Sequence, residues 1–148
     1  MKCPFLIPPH VLGFCITIEI ALIFVFNEYR VIKFPFNLFG IIGIILGQGL
    51  IILTNSFMKK HKTTFTYNLS TTLITKGPFG FSRNPMYLGM EIVLIGLSIL
   101  IGNAIGFVLP ILCFAFFQRY FIPYEEQKAT QEFGDEYINY CKRVRKWI

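Results

Sequence analysis

The stretch Gly77-Pro-Phe-Gly-Phe-Ser-Arg-Asn-Pro-Met-Tyr-Leu-Gly89 sets a polar, turn-rich segment directly against the mouth of a hydrophobic helix. Gly77 permits a backbone turn that a side chain would obstruct. Pro78 and Pro85 fix local φ, and Pro85 disfavours helix at Asn84, so a helix starts at Pro85 with Arg83 and Asn84 presented at its entrance. The stretch is answered by Pro123-Tyr-Glu-Glu126, where a second hydrophobic run ends in two adjacent carboxylates.

Outward from these two segments the chain is unusually apolar. Hydrophobic residues make up 54% of its 148 positions and charged residues only 15%, against about 25% charged in ordinary globular proteins. Apolar residues gather in four blocks, roughly 5–26, 36–58, 86–101 and 104–124, of a length that suits a bilayer, for which about 20 residues are needed. A soluble helical bundle would need polar stripes at helical spacing, and these blocks are apolar all round. The expected fold is therefore all-α and integral to a membrane, with about four transmembrane helices in a single domain over 1–148. Gly102-Asn103 predicts a tight hairpin between the third and fourth helices. Gly43-x-x-x-Gly47 in the second lets a neighbouring helix approach closely, and intramolecular packing is the expected use.

The net charge of +6 does not point to nucleic acid once its distribution is read. Lys59, Lys60, Lys62, Lys76 and Arg83 fall between helices two and three, and Lys128, Lys142, Arg143, Arg145 and Lys146 follow helix four. In a four-span topology both segments lie on one side, which the positive-inside rule makes cytoplasmic, together with both termini. The basic patches then meet anionic lipid headgroups. The Met1-Lys2 start resembles a signal peptide, but it has no small-x-small site and Glu19 interrupts the apolar run, so a retained first helix is expected. Residues 125–146 predict two short helices divided at Gly134, with Asp135 as N-cap of the second. Phe133, Tyr137, Tyr140, Val144 and Trp147 recur at helical spacing opposite the basic residues. That pattern predicts a C-terminal amphipathic interfacial helix with Trp147 as a headgroup-level anchor.

Cys3, Cys15, Cys113 and Cys141 have no metal-ligand spacing, and His10 and His61 are isolated. Glu19 and Glu91 are the acids well inside apolar blocks, where an ionisable group is costly and often functional. Glu91, one turn after Tyr87, is a candidate to face a cavity; Glu19 reads as a structural partner of Gln48 or Asn55.

The ordered motifs resemble those of the integral-membrane methyltransferases related to isoprenylcysteine carboxyl methyltransferase and the phospholipid N-methyltransferases. The family pattern is a Gly-Pro-aromatic turn, Ser-Arg-His/Asn-Pro-x-Tyr-x-Gly, a helix, a Glu-Glu pair, Phe-Gly-x-x-Tyr-x-x-Tyr and a basic Val-x-x-Trp ending. The last parts are matched by Phe133-Gly134, Tyr137, Tyr140 and Val144-Arg-Lys-Trp147, and the resemblance covers roughly residues 69–148. It implies S-adenosyl-L-methionine as cofactor and a lipophilic acceptor entering from the bilayer, either a prenylated or other hydrophobic carboxylate or an amine headgroup. A non-catalytic membrane scaffold or transport subunit that keeps the fold is the alternative class.

Carried over by position, the resemblance implicates Thr71, Thr72, Leu73, Ile74, Phe79, Asn84 and Glu125 in cofactor binding, with Arg83, Pro85 and Tyr87 beside them. Arg83 suits a bidentate pairing with the cofactor carboxylate, and the Tyr87 and Phe79 rings suit adenine or the sulfonium. The position of Asn84 is His in the isoprenylcysteine enzymes. An arginine that those enzymes carry shortly before the Glu pair falls at Phe121 here, and Arg119 is the candidate replacement. Arg119 would orient a carboxylate nucleophile; an amine would need a base, for which Glu126 or Glu91 is placed.

Overall fold

The computed structural model describes residues 8–25, 30–61 and 72–148; its regular structure is helical, and among these residues there is no strand beyond one isolated bridge between Arg30 and Asn103. The elements in chain order are α1 (Pro8–Val25), α2 (Phe39–Lys60), α3 (Pro85–Ile101), α4 (Val108–Phe116), α5 (Ile122–Phe133) and α6 (Asp135–Arg143). Short 3₁₀ turns precede α2, α3 and α4, and a π-helical turn over Phe117–Phe121 joins α4 to α5.

Two helical runs are long and apolar enough to cross a membrane, Phe36–Lys60 with 25 residues and Ala104–Phe133 with 30. The first exposes its apolar residues: Phe39, Ile45 and Leu46 are each more than 60% exposed. A contiguous surface of this kind requires lipid rather than water around it. The fourth apolar block does not stop where the sequence suggests. The helix runs on through Glu125 and Glu126 to Phe133, because the wider π turn just upstream absorbs Pro123, whose ring would otherwise clash with the preceding turn.

Lipid tails are as apolar as leucine, so helices in a bilayer are drawn together by close packing and not by burial from water. Glycine supplies that packing here. A Cβ at Gly40 would stand 2.3 Å from the Gly96 carbonyl oxygen and one at Gly47 would stand 2.6 Å from that of Gly89. The α2 positions rise as the α3 positions fall, so the two helices are antiparallel and their backbones touch along the whole seam. The glycines of α2 serve this intramolecular contact, as the spacing suggested. α3 is thereby central, with α1 and α4 also against it, and Met90 and Leu94 are buried with Phe117, Phe121 and Ile122 in the core.

The expected hairpin between α3 and α4 is present. Gly102 takes a left-handed φ of 73°, and its carbonyl accepts from Val31 N at 2.7 Å and Ile32 N at 3.0 Å. The Asn103 side chain accepts from Ile105 N at 2.9 Å and so caps the next turn. At the other end of the bundle, α6 begins differently from its sequence reading. Gly134, at φ 52°, holds the N-cap position and Asp135 is already helical, with no side-chain cap bond. Its charge, with that of Glu136, complements the helix dipole instead. Glu19 pairs with neither Gln48 nor Asn55: its carboxylate accepts from the Ser98 hydroxyl, because α1 lies on α3 and not on the outer face of α2.

The seam predicts a contrast between two substitutions in one helix. Gly47→Ala should lower the thermal midpoint in detergent, with a cost of about 1–3 kcal/mol for forcing two backbones apart. Gly49→Ala, where nothing lies within 4 Å, should be neutral or stabilising by about 0.5–1 kcal/mol. Equal midpoints for the two variants would refute the packing assignment.

Candidate functional site

Arg83 leaves the turn before α3 and crosses to the C-terminal tail. Its Nη1 donates to the carbonyls of Cys141 at 3.1 Å and Val144 at 3.2 Å, and its Nη2 to Glu126 Oε1 at 2.7 Å. Its backbone N–H donates to the Arg145 carbonyl at 3.0 Å. Asn84 adds a bond from Nδ2 to the Lys146 carbonyl at 3.0 Å, and its own N–H is held by Ser82 Oγ at 3.1 Å. Tyr140 donates to the Phe79 carbonyl at 2.7 Å. The turn between residues 79 and 84 thus grips residues 140–146, mostly through main-chain carbonyls.

Charge reinforces the grip. Lys146 Nζ lies 3.2 Å from Glu126 Oε2, so one carboxylate serves two cations. Burial works against the Arg83 charge, but the hydrogen bond and attraction of Glu126 outweigh it and move the guanidinium pKa up. The tyrosines of α6 are buried beside this network, and burial pushes the Tyr140 phenol up to about 12. The interfacial reading of α6 needs correcting on one point. Its apolar face is covered by protein, since Tyr137, Tyr140 and Val144 pack with Leu73, Ala129 and Phe133. Trp147 has protein partners as well. It stacks on Phe114 at 4.7 Å and donates from Nε1 to Gln118 Oε1 at 2.9 Å.

A second pair sits beside the grip. Tyr87, buried on the first turn of α3 between Phe117 and Phe121, donates its hydroxyl to Glu125. Glu125, Ala129 and Phe133 follow one stripe of α5, and Ala129 and Phe133, like Leu73, pack on the buried cluster of Tyr137, Tyr140 and Val144. The strip before the turn and the helix that carries the carboxylate thus share one buried cluster. On that strip Thr72 is exposed, Leu73 half-buried and Ile74 buried; Thr71 lies outside the described residues. Phe79 is half-buried, Pro85 fully buried and Arg119 exposed on the π turn. The structure so brings Tyr87 and Glu125 together, and gathers Arg83, Asn84 and Glu126 into the tail contact. Arg119 stands apart, on the wall of an open cleft that Leu112, Phe116 and Tyr120 also line.

Ser82 and the carbonyls of residues 141–146 are missing from the sequence reading. Ser82, fully buried, stood inside the motif with a hydroxyl to signal it. The carbonyls carry no signal at all, because every residue has one.

The sequence model of the phospholipid methyltransferase family matches residues 35–136. The chain belongs to that family. It is 30% identical over 114 residues to protein-S-isoprenylcysteine O-methyltransferase A of Arabidopsis thaliana, covering 74% of this chain and 57% of that one. The B form from the same plant is 32% identical over 110 residues, covering 72% and 55%. Protein-S-isoprenylcysteine O-methyltransferase of Schizosaccharomyces pombe is 28% identical over 126 residues, covering 84% and 51%. The chain spans a little over half the length of these curated relatives.

The grip predicts that shape matters at Arg83 as much as charge. Arg83→Lys keeps the charge but loses the fork that reaches three acceptors. It should cost about 1.5–3 kcal/mol, the worth of a hydrogen bond to a charged group, and free the tail. Carboxypeptidase digestion of the detergent-purified variant should then remove residues that wild type protects, and unchanged protection would refute the grip.

Proposed function

We propose that this chain is an S-adenosyl-L-methionine-dependent membrane methyltransferase acting on a lipophilic acceptor, with its site on the cytoplasmic face. The observation that carries the reading is the Tyr87–Glu125 pair that joins α3 to α5, with Leu73 packed on the same buried cluster as the following turns of α5. A half-buried carboxylate aligned by a phenol suits ribose hydroxyls or the cofactor ammonium, and its charge balances a sulfonium. The strip 72–75, outside any helix, suits an adenine edge through its free main chain. Arg83 adds a buried Nε–H without an acceptor among the described residues, which the cofactor carboxylate would satisfy. These features fit the cofactor. When bound, it supplies an activated methyl group; the chain's own residues position donor and acceptor and exclude water.

The family and the printed names of the relatives support the methyltransferase class over a scaffold. Those names favour a carboxylate acceptor, which Arg119 would orient; an amine acceptor would use Glu126 or Glu91 as base. Four membrane spans, α1 to α4, go with this reading. α3 has 17 residues, and at 1.5 Å per residue it extends about 26 Å, enough for most of a hydrocarbon core. The charges favour the orientation. Lys59, Lys60, Lys76, Arg83 and the basic tail gather at the end where Gly77 meets Phe57, whereas Arg30 and Lys33 accompany the Gly102 turn.

Calorimetry on the detergent-purified chain should show S-adenosyl-L-methionine binding, weakened about tenfold or more by Glu125→Ala, the equivalent of a lost charge-assisted hydrogen bond. A folded wild type that does not bind would overturn the proposal. With a labelled methyl donor, Arg119→Ala should abolish transfer to a hydrophobic carboxylate and only weaken transfer to an amine. No change in either would remove Arg119 from the mechanism.

A further inference from the structure

The helical run that ends in α5 makes contacts that a straight helix would not make together. Phe117 packs on the Tyr87 ring at 4.6 Å and Phe121 at 6.3 Å. Glu125 accepts from the Tyr87 hydroxyl and Glu126 from Arg83. Phe117 and Glu125 are eight residues apart. At about 100° per residue a straight α-helix sets them about 80° apart around its axis, so that only one would face Tyr87 squarely. The π turn removes the discrepancy. The Ile122 N–H donates to the Phe117 carbonyl, five residues back, and that ring holds one residue more than an α turn. With one residue taken up in this way, the two side chains fall within about 20° of each other.

Pro123 keeps the turn wide. It has no N–H for the Arg119 carbonyl, and in a straight helix its ring would strike that carbonyl. Behind the wider bond it stands in the first turn of α5, where the missing donor is not needed. We propose that Pro123 is a positioning residue for the cofactor site, acting through the π turn on Glu125. The inference rests on the function proposed above for the Tyr87–Glu125 pair. Pro123 itself is exposed and acts through the backbone. Without the proline the helix closes to α-type bonds, and every residue beyond the turn moves on by one place. Tyr124 then comes to the position of Glu125, and Glu125 to that of Glu126. The adjacent carboxylates make the two consequences unequal. Arg83 still meets a carboxylate, whereas Tyr87 meets a phenol where the charge for the sulfonium and ribose had been.

The full chain in detergent would be compared as wild type, Pro123→Ala, and Pro123→Ala with Tyr120 deleted. Tyr120 is an exposed residue of the turn. Removing it brings Phe117 and Glu125 one residue closer in sequence, and a straight α-helix then sets them within about 20° again. Calorimetry should show S-adenosyl-L-methionine binding weakened about tenfold or more in Pro123→Ala, and restored by the deletion to within about threefold of wild type. Carboxypeptidase protection of the tail should persist in every form, because Arg83 keeps a carboxylate. A proline that merely shaped the helix predicts no weaker binding, since alanine is the better helix former. Wild-type affinity in Pro123→Ala, a loss that the deletion leaves unrepaired, or a loss accompanied by an unprotected tail would each overturn the proposal. A cofactor-free readout separates this inference from the function on which it rests. In a double-mutant cycle of thermal midpoints, Tyr87→Phe and Glu125→Ala should be coupled in wild type, uncoupled in Pro123→Ala and coupled again with the deletion. Should wild type bind no cofactor, the proposed function falls and the cycle still decides the register. Coupling that survives Pro123→Ala refutes the register, and if the deletion form fails to fold, the cycle in Pro123→Ala alone is decisive.

Discussion

The grip of Arg83 on the chain's own C-terminus is the contact on which the site depends. A guanidinium offers five N–H donors in a rigid plane, and four groups of this protein meet at that one turn: Glu126 from α5, two tail carbonyls and, through the backbone, a third. Together with Asn84, Tyr140 and Lys146 it fixes the course of the tail, and Trp147 closes against Phe114 and Gln118. The placement of Glu126 follows from the same contact, and Glu125, its neighbour, is then turned toward Tyr87.

Beneath the grip lies a packing problem peculiar to lipid. Water does not drive these helices together, so α2 and α3 rely on how closely their backbones can come. The glycines at 40, 47, 89 and 96 settle this. With α2 pinned on one side of α3, the other side is left for α1 and α4, and that side holds the buried acids Glu19 and Glu91. Polar chemistry thus sits on the protected face of the central helix and apolar bulk on the lipid side.

The features legible in the sequence were those with a local cause. Pro85 starts α3, Gly102-Asn103 turns the chain and Gly134 divides the last two helices, each through a constraint on its own backbone. Helix length after Phe116 was not legible, because the π turn that accommodates Pro123 has no residue type of its own. The periodic aromatics of α6 were found, but periodicity reports an apolar face and not what covers it. For Tyr137 and Tyr140 the cover is protein. Asn84 was singled out for a cofactor and Arg83 likewise; both donate to tail carbonyls, a partner class that sequence cannot display.

Because the tail is held largely by its main chain, several of its charged side chains are released from structural duty. Lys142, Arg143 and Arg145 are exposed while the carbonyls around them carry the bonds. The surface charge of this segment can therefore drift with the lipid composition of whatever membrane the protein inhabits, and the geometry of the candidate site beneath it need not follow. The architecture separates adaptation to the bilayer from the preservation of chemistry, by assigning the first to side chains and the second to the peptide backbone.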